Sequence, residues 1–190
     1  MIAKRIAYAA AVLEAPRDKL VFVDEAGVNL AMTMTFARAT RGQRAFARAP
    51  FARGTNISLM AAIREDAVVA WRPRDGAIDT DRFLAFVKDD LAPKLEKGDI
   101  VVMDNVRFHK ADVIREAIEA VGARLLFTPP YSPEMNAIEE VFSLVKGQLR
   151  KIGARNIPDL VDALRESIAA TTRHLRKYVS HVLKFAALVL

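Results

Sequence analysis

The stretches Leu20-Val-Phe-Val-Asp24 and Asp99-Ile-Val-Val-Met-Asp104 constrain the fold more than any other part of the chain. Each contains a short apolar run that ends on an aspartate. Such continuous apolar runs are typical of strands that are buried on both faces of a sheet. In open α/β sheets ligands bind where strands end. The two aspartates, Asp24 and Asp104, are therefore expected at a common ligand site.

The sequence around these two strands changes from a strand period to a helix period. Residues 30–36 alternate apolar and polar side chains, and 56–63 and 67–71 are further strand-like runs, which together predict an antiparallel meander. Later in the chain, apolar stripes of helical period predict helices over 83–95, 111–121, 136–152 and 158–172. The sequence thus predicts an α/β fold, a mixed sheet with antiparallel front strands and parallel later strands, flanked by helices.

Length and composition exclude several classes of protein. The chain has 190 residues, enough for one domain of ordinary size. It has no cysteine, which excludes a disulfide scaffold, a thiolate nucleophile and any cysteine-ligated metal. With three histidines, a metal site would depend mainly on oxygen ligands, which favours Mg²⁺ or Mn²⁺. No segment has the pattern of a signal peptide or a membrane span, so a cytoplasmic location is expected.

Positive charge is concentrated in two regions of this basic chain, whose net charge is +6. Five arginines and no acidic residue fall within 36–54, and 140–190 carries nine basic against four acidic residues. The rest of the chain is acidic. Basic regions beside an acidic one favour a polyanionic partner. The alternative is a solvated basic surface without a partner.

A third carboxylate follows a rigid proline-rich loop, Thr128-Pro-Pro-Tyr-Ser-Pro133. Glu139 lies on the next predicted helix, at the border of its apolar stripe. Three converging carboxylates repel one another unless a cation neutralises them, and hard divalent cations prefer oxygen ligands. Two such ions about 4 Å apart would suit a phosphoryl displacement. Each acid also has an ordinary structural explanation, in a turn or in the first turn of a helix.

Two motifs surround the second and third acids: Asp104-Asn-Val-Arg-Phe-His109 and Pro129-Pro-Tyr-Ser-Pro-Glu-Met-Asn-Ala-Ile-Glu-Glu-Val-Phe142. They resemble motifs of the DDE transposases of the mariner-like superfamily, particularly its bacterial insertion-sequence branch. Between Asp104 and Glu139 there are 34 residues, the spacing of that superfamily. Asp24-Glu25-Ala26-Gly27 matches its first-acid motif and Arg41-Gly42-Gln43 its downstream turn. The resemblance covers roughly residues 20–170.

The resemblance implies a ribonuclease-H-like fold in which Asp24, Asp104 and Glu139 are the catalytic residues and the metal ligands. It implies two Mg²⁺ or Mn²⁺ ions, hydrolysis of a phosphodiester at an element end, and attack of the freed 3′-hydroxyl on target DNA. Candidates for supporting the site are Asn105, His109 and Glu140. Asn105 and His109 could equally be a turn amide and a surface histidine, and Glu140 is the rival of Glu139. The predicted DNA-binding residues are Arg38, Arg41, Arg44, Arg48, Lys146, Arg150 and Lys151.

The resemblance also implies partners and a division of the chain. We expect a helical extension over 1–19, the catalytic domain over 20–172 and a C-terminal helical tail over 173–190. Relatives carry helix-turn-helix domains ahead of their catalytic core, so a separate N-terminal helix-turn-helix polypeptide is an expected partner. A homodimer and a bacterial, nucleoid-associated location are also expected. The alternatives are an inactive transposase remnant that binds DNA or partner subunits, and another nuclease on the same fold.

Overall fold

The structure is a computed structural model that describes residues 2–46, 49–50, 54–106 and 108–190. Its strands are β1 (Leu20–Asn29), β2 (Asn56–Ile63), β3 (Val68–Asp75), β4 (Ile100–Met103) and β5 (Arg124–Phe127). They form one sheet in the order β3-β2-β1-β4-β5. The pairs β1–β2 and β2–β3 are antiparallel, and β1–β4 and β4–β5 are parallel. The predicted mixed sheet, antiparallel in front and parallel later, is confirmed.

The helices are α1 (Ile2–Glu14), α2 (Thr80–Phe86), α3 (Asp112–Glu119), α4 (Ile138–Ile152), α5 (Ile157–Thr171) and α6 (Leu175–Val189). The predicted helix over 83–95 is divided, because α2 continues into a π-helical turn (Val87–Leu91) and a 3₁₀ turn (Ala92–Lys94) that contains Pro93. α4 ends at Gly153, which has the left-handed conformation (φ 65°) of a helix C-cap. In the described part of the chain, no helix is long and apolar enough to cross a lipid bilayer.

Apolar side chains on both faces of β1 explain why helices cover both sides of the sheet. Leu20 and Phe22 belong to a core cluster formed with α1, α4, α5 and α6. Val21 and Val23 point to the other face and pack with residues of α2 and α3. Tyr8 of α1 belongs to the first cluster, so the N-terminal helix is packed into the same core as α4.

The functional residues lie where β1 and β4 separate. The two strands pair only from Leu20 opposite Ile100 to Phe22 opposite Val102. Asp24 and Asp104 each come two residues after that last pair, so they lie in the same register. β4 ends at Met103, whereas β1 does not end at Asp24 as predicted. It continues to Asn29, because β2 pairs with it along that whole length.

The strand predicted over 30–36 is absent, because β1 ends in a turn. The Asn29 side chain accepts a hydrogen bond from the Ala31 N–H (3.0 Å), and the Met32 N–H donates to the Asn29 carbonyl (3.3 Å). Beyond this turn Met34 and Phe36 are exposed. Leu30 and Met32 are half-buried against the first core cluster, so only the start of the alternating pattern contacts the core. The predicted turn at Arg41-Gly42-Gln43 is confirmed by a hydrogen bond from the Gln43 N–H to the Thr40 carbonyl.

Candidate active site

A cavity of about 410 Å³ lies next to the point where β1 and β4 separate. Three of the residues that line it are the predicted acids Asp24, Asp104 and Glu139. Asp24 is on β1, Asp104 follows β4, and Glu139 is in the first turn of α4. The structure thus brings together three carboxylates that lie on separate elements, up to 115 positions apart in the sequence.

Asp24 is the most buried of these acids, with 7% of its surface exposed. Its carboxylate accepts hydrogen bonds from the Glu25 N–H (2.8 Å) and from the Asn136 side-chain amide (3.4 Å). Burial, together with the negative charges of Glu25 and Asp104, raises the pKa of Asp24 to about 8. The site therefore disfavours the charged form of Asp24 unless a cation is present.

His109 joins two of the carboxylates. Its fully buried ring places Nδ1 2.6 Å from an Asp104 oxygen and Nε2 3.2 Å from a Glu25 oxygen, and it packs against the Phe83 ring with 4.3 Å between centroids. Burial alone would lower the pKa of the imidazole, but hydrogen bonds to Asp104 and Glu25 raise it to about 9. The structure therefore places a buried imidazole between two acids, where its raised pKa favours the protonated form, rather than the surface histidine of the alternative interpretation.

Asp104 and Asn105 follow β4 and contact different neighbours. Burial would raise the pKa of Asp104, but hydrogen bonds from His109 and from the Val106 N–H (3.1 Å) keep it below its usual value. The Asn105 side-chain amide donates to the Thr128 carbonyl at the start of the loop. Asn105 therefore positions the loop that leads to Glu139.

Glu139 and Glu140 are neighbours in α4 that point to different surroundings. Burial raises the pKa of Glu139, an effect that Lys146 opposes and that the charges of Asp104 and Glu25 reinforce. Glu140 instead pairs with His181 of α6, whose Nδ1 lies 3.0 Å from a Glu140 oxygen. Only Glu139 of the two lines the cavity with Asp24 and Asp104.

The donor set of the cavity fits a hard divalent cation. Asp24, Asp104 and Glu139 offer carboxylate oxygens, which Mg²⁺ and Mn²⁺ prefer. The raised pKa of Asp24 indicates negative charge that the protein compensates incompletely. Among the described residues, a tighter group of potential ligand atoms, all within 4.8 Å of one another, is formed by Asp24 with Glu25 and His109. Glu139 is outside that group.

Comparison with known proteins identifies the family. A family model described as DDE superfamily endonuclease matches residues 19–162, most of the chain. The chain belongs to this family. A search of curated proteins gives no significant match.

Solved structures show that this DDE superfamily endonuclease has the expected ribonuclease-H-like fold. Against the Mos1 transposase paired-end complex with left transposon end the TM-score is 0.83 at 17% identity, covering 99% of this chain and 60% of that one. The Mos1 strand transfer complex gives 0.79 at 16% identity, with 99% and 60% covered. The catalytic domain of Mos1 mariner transposase gives 0.73 at 14%, with 99% and 91% covered. The chain thus spans about 60% of the transposases in those complexes.

The predicted DNA-binding residues of the DDE endonuclease that the structure describes lie in three places. Lys146 and Arg150 come seven and eleven residues after Glu139, which places all three on one side of α4. Lys151 instead lines a groove with Glu140 and Tyr178. In the segment after β1, Arg38, Arg41 and Arg44 are exposed. Arg48 lies outside the described residues.

Several residues of the cavity or its acid cluster were not predicted, and four of them bear on its chemistry. Glu25 was missed because neighbours in a strand point to opposite faces, so Glu25 was not expected near Asp24. Lys110 lines the cavity next to His109, and Asn136 reaches Asp24 from a position three residues before Glu139. A motif containing Asn136 was visible in the sequence, but its contact with β1 was not. The fourth residue is Tyr131, in the proline-rich loop.

Proposed function

We propose that this chain is the catalytic domain of a transposase, which cleaves DNA phosphodiesters with a divalent metal and transfers the 3′-hydroxyl strand. The observation that carries the proposal is the convergence of Asp24, Asp104 and Glu139 on one cavity. Membership of the DDE endonuclease family supports it. The fold is also similar to Mos1 transposase in complexes with a transposon end and after strand transfer.

The proposed cofactor is Mg²⁺ or Mn²⁺, bound as two ions by Asp24, Asp104 and Glu139. Support comes from the carboxylate donor set and from Mos1 paired-end complexes determined with Mn and with Mg. When bound, such ions lower the pKa of an attacking water or 3′-hydroxyl and stabilise charge on the phosphate. Glu25 would complete the ligand set, because it lies beside Asp24, and His109 would hold Asp104 in place.

The residues of the chain itself would orient the acids and the DNA. His109 fixes the Asp104 and Glu25 carboxylates, and Asn136 fixes Asp24. Such outer contacts commonly change metal affinity or activity by about 10- to 100-fold when they are removed. Lys110, at the wall of the cavity, would contact a DNA phosphate.

DNA is the proposed partner, contacted at its phosphates by the basic residues of α4 and of the segment 36–54. Lys146 and Arg150 are better placed than the arginines of 36–54, because they lie on the same side of α4 as Glu139. Lys151 shares the helix but lines the groove with Glu140. Phosphate contacts would make binding sensitive to salt but not to sequence. We further propose that a homodimer pairs two element ends, that a separate helix-turn-helix polypeptide recognises them, and that the chain acts at the bacterial nucleoid in the cytoplasm. The catalytic unit would be 20–172, between helical segments 1–19 and 173–190.

Nicking of supercoiled plasmid with Mg²⁺ or Mn²⁺ tests the proposal. We expect metal-dependent nicking by the wild type, reduced by more than about 100-fold in Asp104→Asn and Glu139→Gln, because loss of a ligand should exceed loss of an outer contact. Asp162→Asn is a matched control, since its exposed side chain pairs with Arg165 on α5, away from the cavity. Its nicking should equal that of the wild type.

Two other outcomes have clear meanings. Equal nicking by the wild type and both acid variants would show that the activity does not come from this cavity. A folded wild type that binds DNA and nicks with neither metal would instead favour the inactive remnant that binds without cleaving.

A further inference from the structure

Tyr131 has an unusual backbone conformation at the wall of the cavity. Its φ is 55°, in the left-handed region, and it is the one residue other than glycine with positive φ in the described part of the chain. That conformation is unfavourable for a residue with a β-carbon and suits glycine or asparagine. Bulky residues are held there when the surrounding structure forces the conformation, commonly at functional sites.

Proline rings and hydrogen bonds on both sides fix Tyr131 in this position. The loop contains prolines before and after it, whose φ angles are set by their rings: Pro129, Pro130 and Pro133. On one side the Thr128 N–H donates to the Met103 carbonyl of β4 (2.9 Å), and on the other the Met135 N–H donates to the Ser132 carbonyl (3.0 Å). The loop therefore presents Tyr131 on a rigid support.

The Tyr131 side chain contributes little to the packing of the protein. It is 90% exposed, although it lines the same cavity as Asp24, Asp104 and Glu139. Burial of apolar area, the usual gain from an aromatic residue, is therefore almost absent here. Neither backbone preference nor core packing explains a tyrosine at this position, whereas a ligand that covers its ring would.

We propose that Tyr131 is a stacking residue for an unpaired DNA base next to the phosphodiester that the acids attack. This inference rests on the proposed function. A base inside a duplex is already stacked on both sides, so a ring fixed beside the cavity can accept only a base at a strand end or one displaced from the helix. Stacking on an aromatic ring does not depend on base identity, because every base has a π-face. Lys110, which lines the same cavity, would contact the adjoining phosphate.

Variants at position 131 separate the ring from the backbone that carries it. Tyr131→Phe keeps the ring, and Tyr131→Gly removes it while accepting a positive φ. We expect the Tm of Tyr131→Gly to lie within a few degrees of the wild-type Tm, because little packing is lost. Its affinity for a fluorescein-labelled oligothymidine single strand, measured by anisotropy, should fall about 10-fold or more. Tyr131→Phe should stay within about 2-fold, and the affinity of each variant for a blunt duplex should change less.

Photocrosslinking provides a readout that does not depend on cleavage. A single strand with one 5-iododeoxyuridine, irradiated on the protein, should crosslink to the peptide that contains Tyr131 in the wild type. Tyr131→Gly should lose that crosslink and Tyr131→Phe should retain it. Equal affinities of the wild type and Tyr131→Gly for the single strand, or crosslinks at other positions only, would overturn the proposal.

Plasmid nicking distinguishes failure of this inference from failure of the proposed function. A wild type that nicks plasmid but shows no effect of Tyr131→Gly on binding or crosslinking would refute stacking and leave the transposase proposal intact. A wild type that crosslinks at Tyr131 but never nicks would support stacking and refute cleavage by this chain.

Discussion

The carboxylates at the two ends of β4 have different surroundings. Before the strand, the fully buried Asp99 carboxylate accepts two hydrogen bonds from the Arg64 guanidinium (2.5 and 3.0 Å) and one from the Glu96 N–H (2.6 Å). Lys19 adds a second cation at 3.8 Å. After the strand, Asp104 shares one histidine with Glu25. The protein itself neutralises the first carboxylate.

The pKa of Asp99 changes in the opposite direction from that of Asp24, the acid of β1 that lies at the level of Asp104. Burial acts to raise the pKa of Asp99, but the hydrogen bonds from Arg64 and the Glu96 N–H keep it below its usual value. Hydrogen bonds from His109 and the Val106 N–H also keep the pKa of Asp104 below its usual value, but burial and like charges raise the pKa of its neighbour Asp24 on β1 to about 8. A carboxylate that the protein compensates fully has a structural role, whereas a group of carboxylates that it compensates in part is suited to an external cation.

Removing the charge of Asp99 should have the largest effect on stability. Asp99→Asn leaves the Arg64 guanidinium without its buried counterion, which we expect to cost about 3 kcal/mol of unfolding free energy. Urea unfolding followed by circular dichroism would measure this. Asp162→Asn is the matched control, because it breaks an exposed aspartate–arginine pair and should cost less than about 0.5 kcal/mol. Equal losses of unfolding free energy in the two variants would show that the Asp99–Arg64 pair does not stabilise the fold.

Binding of Mn²⁺ should have the next largest effect on stability, and it should depend on Asp104 but not on Asp99. At a free Mn²⁺ concentration 100 times its dissociation constant, the wild type should gain about 2.7 kcal/mol of unfolding free energy. Thermal melts with and without Mn²⁺ would show this as a higher Tm. Asp104→Asn should lose most of the increment, whereas Asp99→Asn should keep it from a lower starting Tm. An increment of the same size in both variants would place the cation elsewhere.

Lowering the pH should reduce the contribution of Asp99 to the unfolding free energy. The folded-state pKa of Asp99 is lowered, so its contribution to stability is complete above the unfolded-state value of about 3.9 and is lost as pH falls through the folded-state value. The difference in unfolding free energy between the wild type and Asp99→Asn should therefore be constant from pH 7 to about 5 and shrink below about pH 4. Urea titrations at several pH values would measure it, and a difference that grows in acid would contradict the assignment.

The sequence was sufficient to predict some of these features because they follow local patterns. Asp24 and Asp104 each end four apolar residues, and the strands pair with Leu20 opposite Ile100, so both acids reach the same level of the sheet. The meeting of Glu25 with His109 was not predictable, because it depends on the sheet opening beyond Met103. Alternation of apolar residues predicted where a buried face could form, but not that the chain leaves the sheet at Asn29.

Contacts between distant segments could not be predicted from the sequence for a different reason. Helical periodicity predicts that α1 forms, but not which residue its side chains meet more than a hundred positions later. Tyr8 of α1 donates a buried hydrogen bond to the Met135 carbonyl (2.6 Å), and Arg5 pairs with Glu134. Both contacts hold the 3₁₀ turn Pro133–Met135, which immediately precedes Asn136 and α4.

The smallest expected effect comes from removing the Tyr8 hydroxyl, which supports the acid site through this turn. Tyr8→Phe keeps the ring in the core but leaves the buried Met135 carbonyl without that donor, at a cost of about 1 kcal/mol of unfolding free energy. Because the turn positions Asn136 and Glu139, the Mn²⁺ concentration that gives half of the Tm shift should rise about 2- to 5-fold, equivalent to about 0.4–1 kcal/mol. Tyr178→Phe is the control, since the described contacts include no hydrogen bond from its hydroxyl, and it should change neither quantity. Loss of stability with an unchanged Mn²⁺ midpoint would show that Tyr8 supports the core alone. The Glu139 side of the cavity would then be held by the loop and α4 without help from α1.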